Sequence, residues 1–256
     1  MDLAAITPFV LTLDEEPNIG RVLDRLDWAR RVLVLDSRST DRTVEIAREY
    51  PNVEVRTRAF DSFAGQSNHA LAGVDTPWAM ALDADYLVPS ALVDEIEALP
   101  EAPAESGFRV PFEYRVLGRT LRGSLYPPRV VLFRRDAGSF AQDGHAHRVR
   151  VDGPTGRLRT PIIHDDRKGL GRWLRNQALY AEQEAAKLAA TPWRELGWMD
   201  RLRRTTVLGP PSVAAWCLFG KGLLFQGRAG LYYTAQRAAA ETILSLELLE
   251  ARRKDA

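Results

Sequence analysis

Cysteine is almost missing from this 256-residue chain, where Cys217 stands alone. One thiol excludes an intramolecular disulfide framework and a cysteine-built zinc cluster, and it suits a reducing compartment. An excess of either charge is missing too: 35 Lys and Arg face 34 Asp and Glu, for a formal net charge of +1. No global field recruits nucleic acid or anionic lipid, so an anion site has to be local. The N-terminal MDLAAITPFVLTLDEEP lacks a basic leader region, and its short alternating apolar run reads as a first strand, not a signal peptide. The longest apolar stretch, Pro211 to Gly227, is shorter than the roughly 20 residues of a spanning helix, and Lys221 interrupts it between two glycines. Two readings stand for it. It is a buried helix, or it lies in a membrane interface with Trp216, Phe219 and Phe225 in lipid and Lys221 near head groups. Phosphate-gripping turns are also lacking: no Gly-rich dinucleotide turn follows the first strand, and no Gly-Lys-Ser/Thr loop appears.

What is present is ordinary in bulk and ordered in detail. A hydrophobic content of 45% with 27% charge fits one good core with at most a smaller appendage. The first hundred residues alternate strand and helix patterns. AAITPFVLTL, RVLVLD, NVEVRTR and PWAMALD read as strands, and RVLVLD has the unbroken apolar run of a parallel strand covered on both faces. PNIGRVLDRL, STDRTVEIAREY, GQSNHALAGV and PSALVDEIEAL read as helices, with Ser39 or Thr40 and Ser90 placed to cap two of them. Such alternation predicts an α/β fold with an open, mainly parallel sheet. After Pro103, short Arg- and Gly-rich strands follow, and from Gly169 the chain turns helical, with Leu174, Ala178, Ala181 and Ala185 spaced for one face. The expected division is a catalytic domain over 1–168 and a helical extension over 169–256.

Ligands of open parallel sheets gather outside the carboxyl ends of the strands. Three predicted ends carry polar clusters: Thr12, Asp14, Glu15 and Glu16; then Asp36, Ser37, Ser39 and Asp41; then Asp83 and Asp85. Carboxylates that close together need a cation, a proton or hydrogen-bond donors. Oxygen ligands without sulfur select Mg²⁺ or Mn²⁺, whose open positions substrate phosphates fill.

The segments VLTLDEEPNI, VLVLDSRSTDRTVEIA, FAGQSNHAL and MALDADYLVPSAL together resemble family 2 glycosyltransferases of the GT-A fold, and most the bacterial branch of lipopolysaccharide-core glucosyltransferases. The similarity runs from about Ile6 to Pro100 and continues more loosely through RVVLFRR, IIH and the C-terminal GKGLLFQGRAGLYYTAQRAAAE. It implies an inverting, metal-dependent transfer of a hexose from a nucleotide-sugar, UDP-linked, to a saccharide or lipid-linked acceptor. Thr12, Glu15, Asp36, Gln66, Asn68 and Asp83 would bind the donor, and Asp85 with His164 would hold the metal. In place of the branch's His-Glu stretch stands FAQDGHAHRVRVDG, so the base is sought among His147, His145 and Asp143. Arg129, Arg134, Arg172 and Arg175 are candidate diphosphate or acceptor contacts. Asp14 stands where asparagine is frequent, and Ser67 where a basic residue is common. The leading reading places the chain in the cytoplasm at the inner face of the plasma membrane; its near-zero net charge argues for no nucleic acid partner, and its aromatic C-terminal region suits peripheral membrane contact or a homodimer. Two other classes stay open: a sugar-1-phosphate nucleotidyltransferase, and a non-catalytic membrane-associated glycan-binding scaffold.

Overall fold

The computed structural model describes residues 1–143 and 146–254, and their side chains apart from those of 143, 146–148 and 254. Thirteen strands and eight α-helices are described. The first half runs β1 (Ile6–Thr12), α1 (Ile19–Leu23), β2 (Val32–Asp36), α2 (Thr43–Ala47), β3 (Val53–Thr57), α3 (Phe63–Ala72), β4 (Trp78–Asp83), β5 (Tyr86–Leu87) and α4 (Ser90–Glu97). Then come β6 (Gly107–Val110), β7 (Phe112–Val116), β8 (Arg119–Thr120), β9 (Arg129–Arg134), β10 (Gly138–Asp143), β11 (Ala146–Val151), β12 (Thr155–Arg157) and β13 (Ile162–His164). The remainder is helical: α5 (Leu170–Ala190), α6 (Trp198–Arg204), α7 (Gly209–Ala215) and α8 (Gly227–Lys254).

The chain divides into two compact units. The first holds Met1–Glu113, Tyr126–Gln142 and His147–Lys168; the second holds Tyr114–Leu125, Asp143–Ala146 and Gly169–Ala256. The second unit thus takes a piece from the middle of the chain as well as residues from Gly169 onward.

The first unit is built on a seven-stranded sheet in the order β12-β6-β9-β4-β1-β2-β3. β1 pairs in parallel with β2 and with β4, β2 with β3, while β9 runs antiparallel to both β4 and β6. Successive residues of the inner strands feed two separate cores. Phe9, Leu33, Leu35 and Ala79 pack with Ala70, Leu71, Phe133 and Phe140. Val10, Val34, Met80 and Leu82 pack with Ile19, Val22, Leu92 and Ile96. A strand buried on both faces has no polar alternation, which is why RVLVLD reads as it does.

Two predicted caps differ from the structure. α4 starts at Ser90 with Pro89 in the cap position. α2 starts at Thr43, and its cap position, Arg42, makes no side-chain cap bond. Ser39 and Thr40 instead bind the neighbouring loop, a partner that local sequence does not reveal.

In the second unit α5 and α8 bury Ala181, Ala185 and Leu188 against Leu244 and Leu248. The predicted α5 stripe starts too early, because Leu174 is 44% exposed and the buried face runs through Ala181, Glu184, Ala185 and Leu188. The apolar stretch after Pro211 is neither one buried helix nor wholly exposed. α7 passes into a π turn at Trp216–Gly220 and a 3-10 turn at Leu223–Gln226, with Val213, Cys217 and Leu223 inside. Burial pushes the Cys217 thiol up, as befits a core residue. No helix among the described residues is long and apolar enough to cross a membrane.

Glu95 on α4 anchors a crossing segment by accepting from the backbone N of Arg159 at 2.8 Å and of Thr160 at 2.9 Å. Burial acts to raise its carboxyl, but those two donors prevail and hold it below its ordinary 4.5. A carboxyl depressed on folding adds stability above its unfolded value and loses it as pH falls through the folded one. Glu95→Gln is therefore expected to lower the melting temperature at pH 7, and the gap to wild type should close as pH falls below about 4.5. A gap that stays constant between pH 7 and pH 3 in thermal melts contradicts this.

Candidate active site

The carboxyl ends of β2, β1 and β4 lie side by side: Thr12 is opposite Asp36, and Leu11 opposite Asp83. The strand order reverses around β1, with β2 on one side and β4 on the other, the place where open sheets open a crevice. Asp36 is 1% exposed, so its charge needs donors. Thr12 Oγ1 donates to it at 3.0 Å, the Ser39 backbone N at 2.9 Å, and the Ser39 hydroxyl donates as well.

Ser39 in turn accepts from the Asp14 backbone N at 2.7 Å, so the loops after β1 and β2 are laced together. Glu15 N donates to Thr43 Oγ1 at 2.6 Å, Glu16 N to Asp41 Oδ2 at 3.1 Å, and Thr40 N to Asp14 Oδ1 at 2.6 Å. Asp14 and Arg38 hold left-handed backbone, with φ of 51° and 68°. Asparagine and aspartate tolerate that region best among non-glycine residues, which accounts for Asp14 where asparagine is frequent.

Gln66 and Asn68 sit on α3 with different surroundings. Gln66 is 1% exposed; its amide N donates to Ser37 Oγ at 2.9 Å and its amide O accepts from Arg58 Nη1 at 2.8 Å. Asn68 brackets β10, donating to the Phe140 carbonyl and accepting from the Phe140 N, both at 2.9 Å.

Asp85 and His164 are brought together by backbone pairing. β5 starts one residue after Asp85 and runs antiparallel to β13, which places Tyr86 opposite His164. The Asp165 N donates to the Asp85 carbonyl at 3.0 Å. His164 Nε2 lies 3.2 Å from Asp85 Oδ2. Burial would raise the Asp85 carboxyl, yet His164 and Lys168 outweigh it and hold it at about 2. Burial would lower the His164 imidazole, and Asp85 reverses that, so it rises above its ordinary 6.5. The Asp85 Oδ1 atom is buried and has no hydrogen-bond partner among the described residues.

Aromatic rings wall this pair. Tyr86 and Tyr126 stand edge-on to the His164 ring at 5.1 and 5.4 Å, and Arg129 lies 4.3 Å above the Tyr126 ring. On the other side Lys168 reaches Glu15 Oε1 at 2.6 Å and Asp166 Oδ1 at 3.7 Å. Asn18, fully buried, donates to Glu15 Oε2 at 2.9 Å and to Asp166 Oδ1 at 3.1 Å. Asp165 is clasped by Arg21 and Arg167. Burial, with Asp85 adding to it, pushes the Glu15 carboxyl up to about 7 against the pull of Lys168. Burial would lower the Lys168 ammonium, but Asp85, Glu15 and Asp166 outweigh it and raise it, so it stays charged.

Of the candidate donor and metal residues, Thr12, Asp36 and Asp83 share one sheet edge and Asp85 pairs with His164. Glu15 belongs to the laced first loop, Gln66 supports the loop after β2, and Asn68 lies against β10. Among the base candidates, His145 falls outside the described residues, as do the side chains of Asp143 and His147. Lys168, Asn18, Tyr126 and the Asp165 clasp are not legible in the sequence; a basic residue four positions after His164 is a weak signal, and Asn18 carries none.

An ionised buried carboxylate oxygen without a donor, beside an imidazole, fits a hard divalent ion. No group of three His, Cys, Asp or Glu gathers around one point among the described residues. An ion held by Asp85 and His164 would take its remaining ligands from substrate or water.

Residues 9–123 match the family model described as Glycosyl transferase family 2. This part of the chain is similar to family 2 glycosyltransferases. The match includes Thr12, Asp36, Asp83 and Asp85 and ends before His164 and Lys168. The lipopolysaccharide core biosynthesis glycosyltransferase LpsC of Rhizobium meliloti (strain 1021) is 29% identical over 245 residues, 88% of this chain and 84% of that protein. An uncharacterized glycosyltransferase of Rickettsia typhi, RT0209, is 32% identical over 93 residues, 36% of this chain and 32% of the relative. Among solved structures, residues 1–349 of S. aureus TarS in complex with UDP-GlcNAc superpose with a TM-score of 0.52 at 15% identity, covering 98% of this chain and 92% of that one. That likeness shows the GT-A fold.

Replacing Lys168 by Met leaves Glu15 buried without its counter-charge, so K168M should lose about 3 kcal/mol of stability at pH 8. The loss should be smaller at pH 6, where Glu15 takes up a proton in the folded state and buries no charge. Urea titrations at both pH values test this, and E15Q/K168M should recover most of the loss. Equal losses at the two pH values would contradict it.

Proposed function

We propose that the chain is an inverting, metal-dependent hexosyltransferase that uses a nucleotide-sugar, UDP-linked, and a saccharide or lipid-linked acceptor of the bacterial cell envelope. The observation that carries this reading is the buried, donor-less Asp85 Oδ1 beside His164, next to the strand ends bearing Thr12, Asp36 and Asp83. The TarS structure holds UDP-GlcNAc, and LpsC carries lipopolysaccharide core biosynthesis in its name; both support the donor and acceptor classes.

In this reading Asp36, met by the Thr12 and Ser39 donors, faces the nucleoside end of the donor, with Asp83 across β1 from it. Glu15 fixes the first loop and Gln66 the second, while Asn68 secures α3 to the strand that begins the FAQDGHAHRVRVDG stretch. Asp85 and His164 would hold Mg²⁺ or Mn²⁺, whose charge stabilises the leaving diphosphate. A base from His147, His145 or Asp143 takes the acceptor hydroxyl's proton as the oxygen attacks the anomeric carbon from the face opposite the diphosphate. A histidine suits that task, since its ordinary value of about 6.5 is near working pH. The location proposed is cytoplasmic, at the inner membrane face, where a lipid-linked acceptor would be met.

The missing glycine cradle makes the donor depend on the cation. Asp85→Asn is therefore expected to cut nucleoside diphosphate release by at least about a hundredfold. A thermal-shift panel of nucleotide-sugars should show stabilisation by a UDP-sugar with Mn²⁺ that EDTA removes and the variant lacks. Undiminished turnover by a folded D85N protein would refute the metal role. Release of pyrophosphate in place of a nucleoside diphosphate would make the chain a nucleotidyltransferase.

A further inference from the structure

The second unit carries a charge pattern that the near-neutral whole conceals. Its segments 114–125 and 201–240 contain nine Arg and Lys residues and not one Asp or Glu. Glu113 precedes the first segment; the carboxylates that flank the second, Asp200 and Glu241, are both engaged by Arg203. Within this acid-free region the chain makes a helical hairpin: α7 leads into the π turn, the 3-10 turn reverses the direction, and α8 returns. Gly222 and Gly227, at φ of 66° and 60°, supply the left-handed backbone on either side of the 3-10 turn.

The hairpin sorts its apolar residues into two sets. Val213, Cys217 and Leu223 face inward to Leu121, Ala229 and Tyr233. Trp216, Phe219, Leu224 and Phe225 face outward, at 54%, 71%, 42% and 88% exposure. Four large apolar side chains on one turn exceed the scattered exposure of ordinary surfaces. The segment 114–125 lies against the same turn. The Arg122 N donates to Gln226 Oε1 at 2.9 Å, the Leu125 N donates to the Tyr233 hydroxyl at 3.0 Å, and Gly123 approaches Lys221 so closely that a Cβ there would meet its carbonyl oxygen at 3.1 Å. Arg119 and Arg122 are thereby brought to the region of Lys221 and Arg228.

We propose that this turn inserts Phe219, Leu224, Phe225 and Trp216 into the headgroup and acyl boundary of an anionic phospholipid bilayer, with Arg119, Arg122, Lys221 and Arg228 on lipid phosphates. Aromatic and leucine side chains ringed by cations are the composition that binds such an interface, by apolar burial together with attraction to anionic lipid. A second copy of the chain is the competing occupant, and charge disfavours it. A two-fold contact sets the same patch against itself, which would face Arg119, Arg122, Lys221 and Arg228 with their own copies. A bilayer of opposite charge meets no such repulsion.

The test is sedimentation of the full chain with vesicles of phosphatidylcholine alone or with about 30% phosphatidylglycerol, alongside light scattering of the protein without lipid. Wild type is expected to sediment with the anionic vesicles, weakly with the neutral ones, and less as salt rises. F219S/F225S, which alters two exposed side chains, should keep its far-ultraviolet spectrum and melting temperature while losing about tenfold or more in vesicle affinity. R119E/R228E should bind both vesicle types equally weakly. Three results would overturn the proposal: no sedimentation of wild type, sedimentation unchanged in F219S/F225S, or a wild-type dimer that this variant dissociates without any vesicle binding.

Discussion

Carboxylates at the ends of buried parallel strands have to be satisfied, and this requirement organises the whole first unit. The strands are apolar because helices cover both faces of the sheet, so Asp36 and Asp85 are drawn out of water with the strands that lead to them. Each is answered differently. Asp36 is met by hydroxyl and amide donors from its own loop and from β1. Asp85 is met by His164 on one oxygen, while the other has no donor among the described residues. The asymmetry separates a carboxylate that builds a loop from one left with an open position.

The same requirement explains how the loops around the edge are held. Glu15, Asp14 and Asp41 are joined across two loops by Thr43, Thr40 and Glu16 amides or hydroxyls, and two residues adopt left-handed backbone to complete the lacing. Non-glycine residues in that region carry strain of about 1–2 kcal/mol each, kept only where surrounding bonds enforce it. Those bonds fix the rim of the crevice before any ligand arrives, which lowers the ordering cost of binding one.

How much of this is legible in the sequence depends on the range of the contact. Alternating strand and helix patterns, the apolar run of β2 and the polar ends at Thr12, Asp36, Asp83 and Asp85 can be read directly, because each is a local property. The pairing of Asp85 with His164 is visible only through the family resemblance. Lys168 with Glu15, and Asn18 with Asp166, span about 150 residues and leave no local trace. The failed caps at Ser39 and Ser90 show the same thing in reverse. Serine before a helix is a sound local signal, yet Ser39 is engaged by the Asp14 amide of the loop after β1, 25 residues away. The buried face of α5 begins later than its alanine spacing predicts, because spacing cannot say where along a helix a neighbour begins.

Charge bookkeeping over the full chain misleads for a related reason. A net charge of +1 excludes a global field, and that remains true. It says nothing about a region where every acidic residue has been left out. Patterned composition carries more than its average: residues 201–240 alone hold six cations and no carboxylate, on the hairpin where burial sorts Val213, Cys217 and Leu223 inward and Phe219 and Phe225 outward. The stretch is not the single buried helix that one sequence reading expects, since it breaks into α7, a π turn and a 3-10 turn. One apolar side of the hairpin faces its own core and the other is exposed, and only three-dimensional burial divides the residues between them.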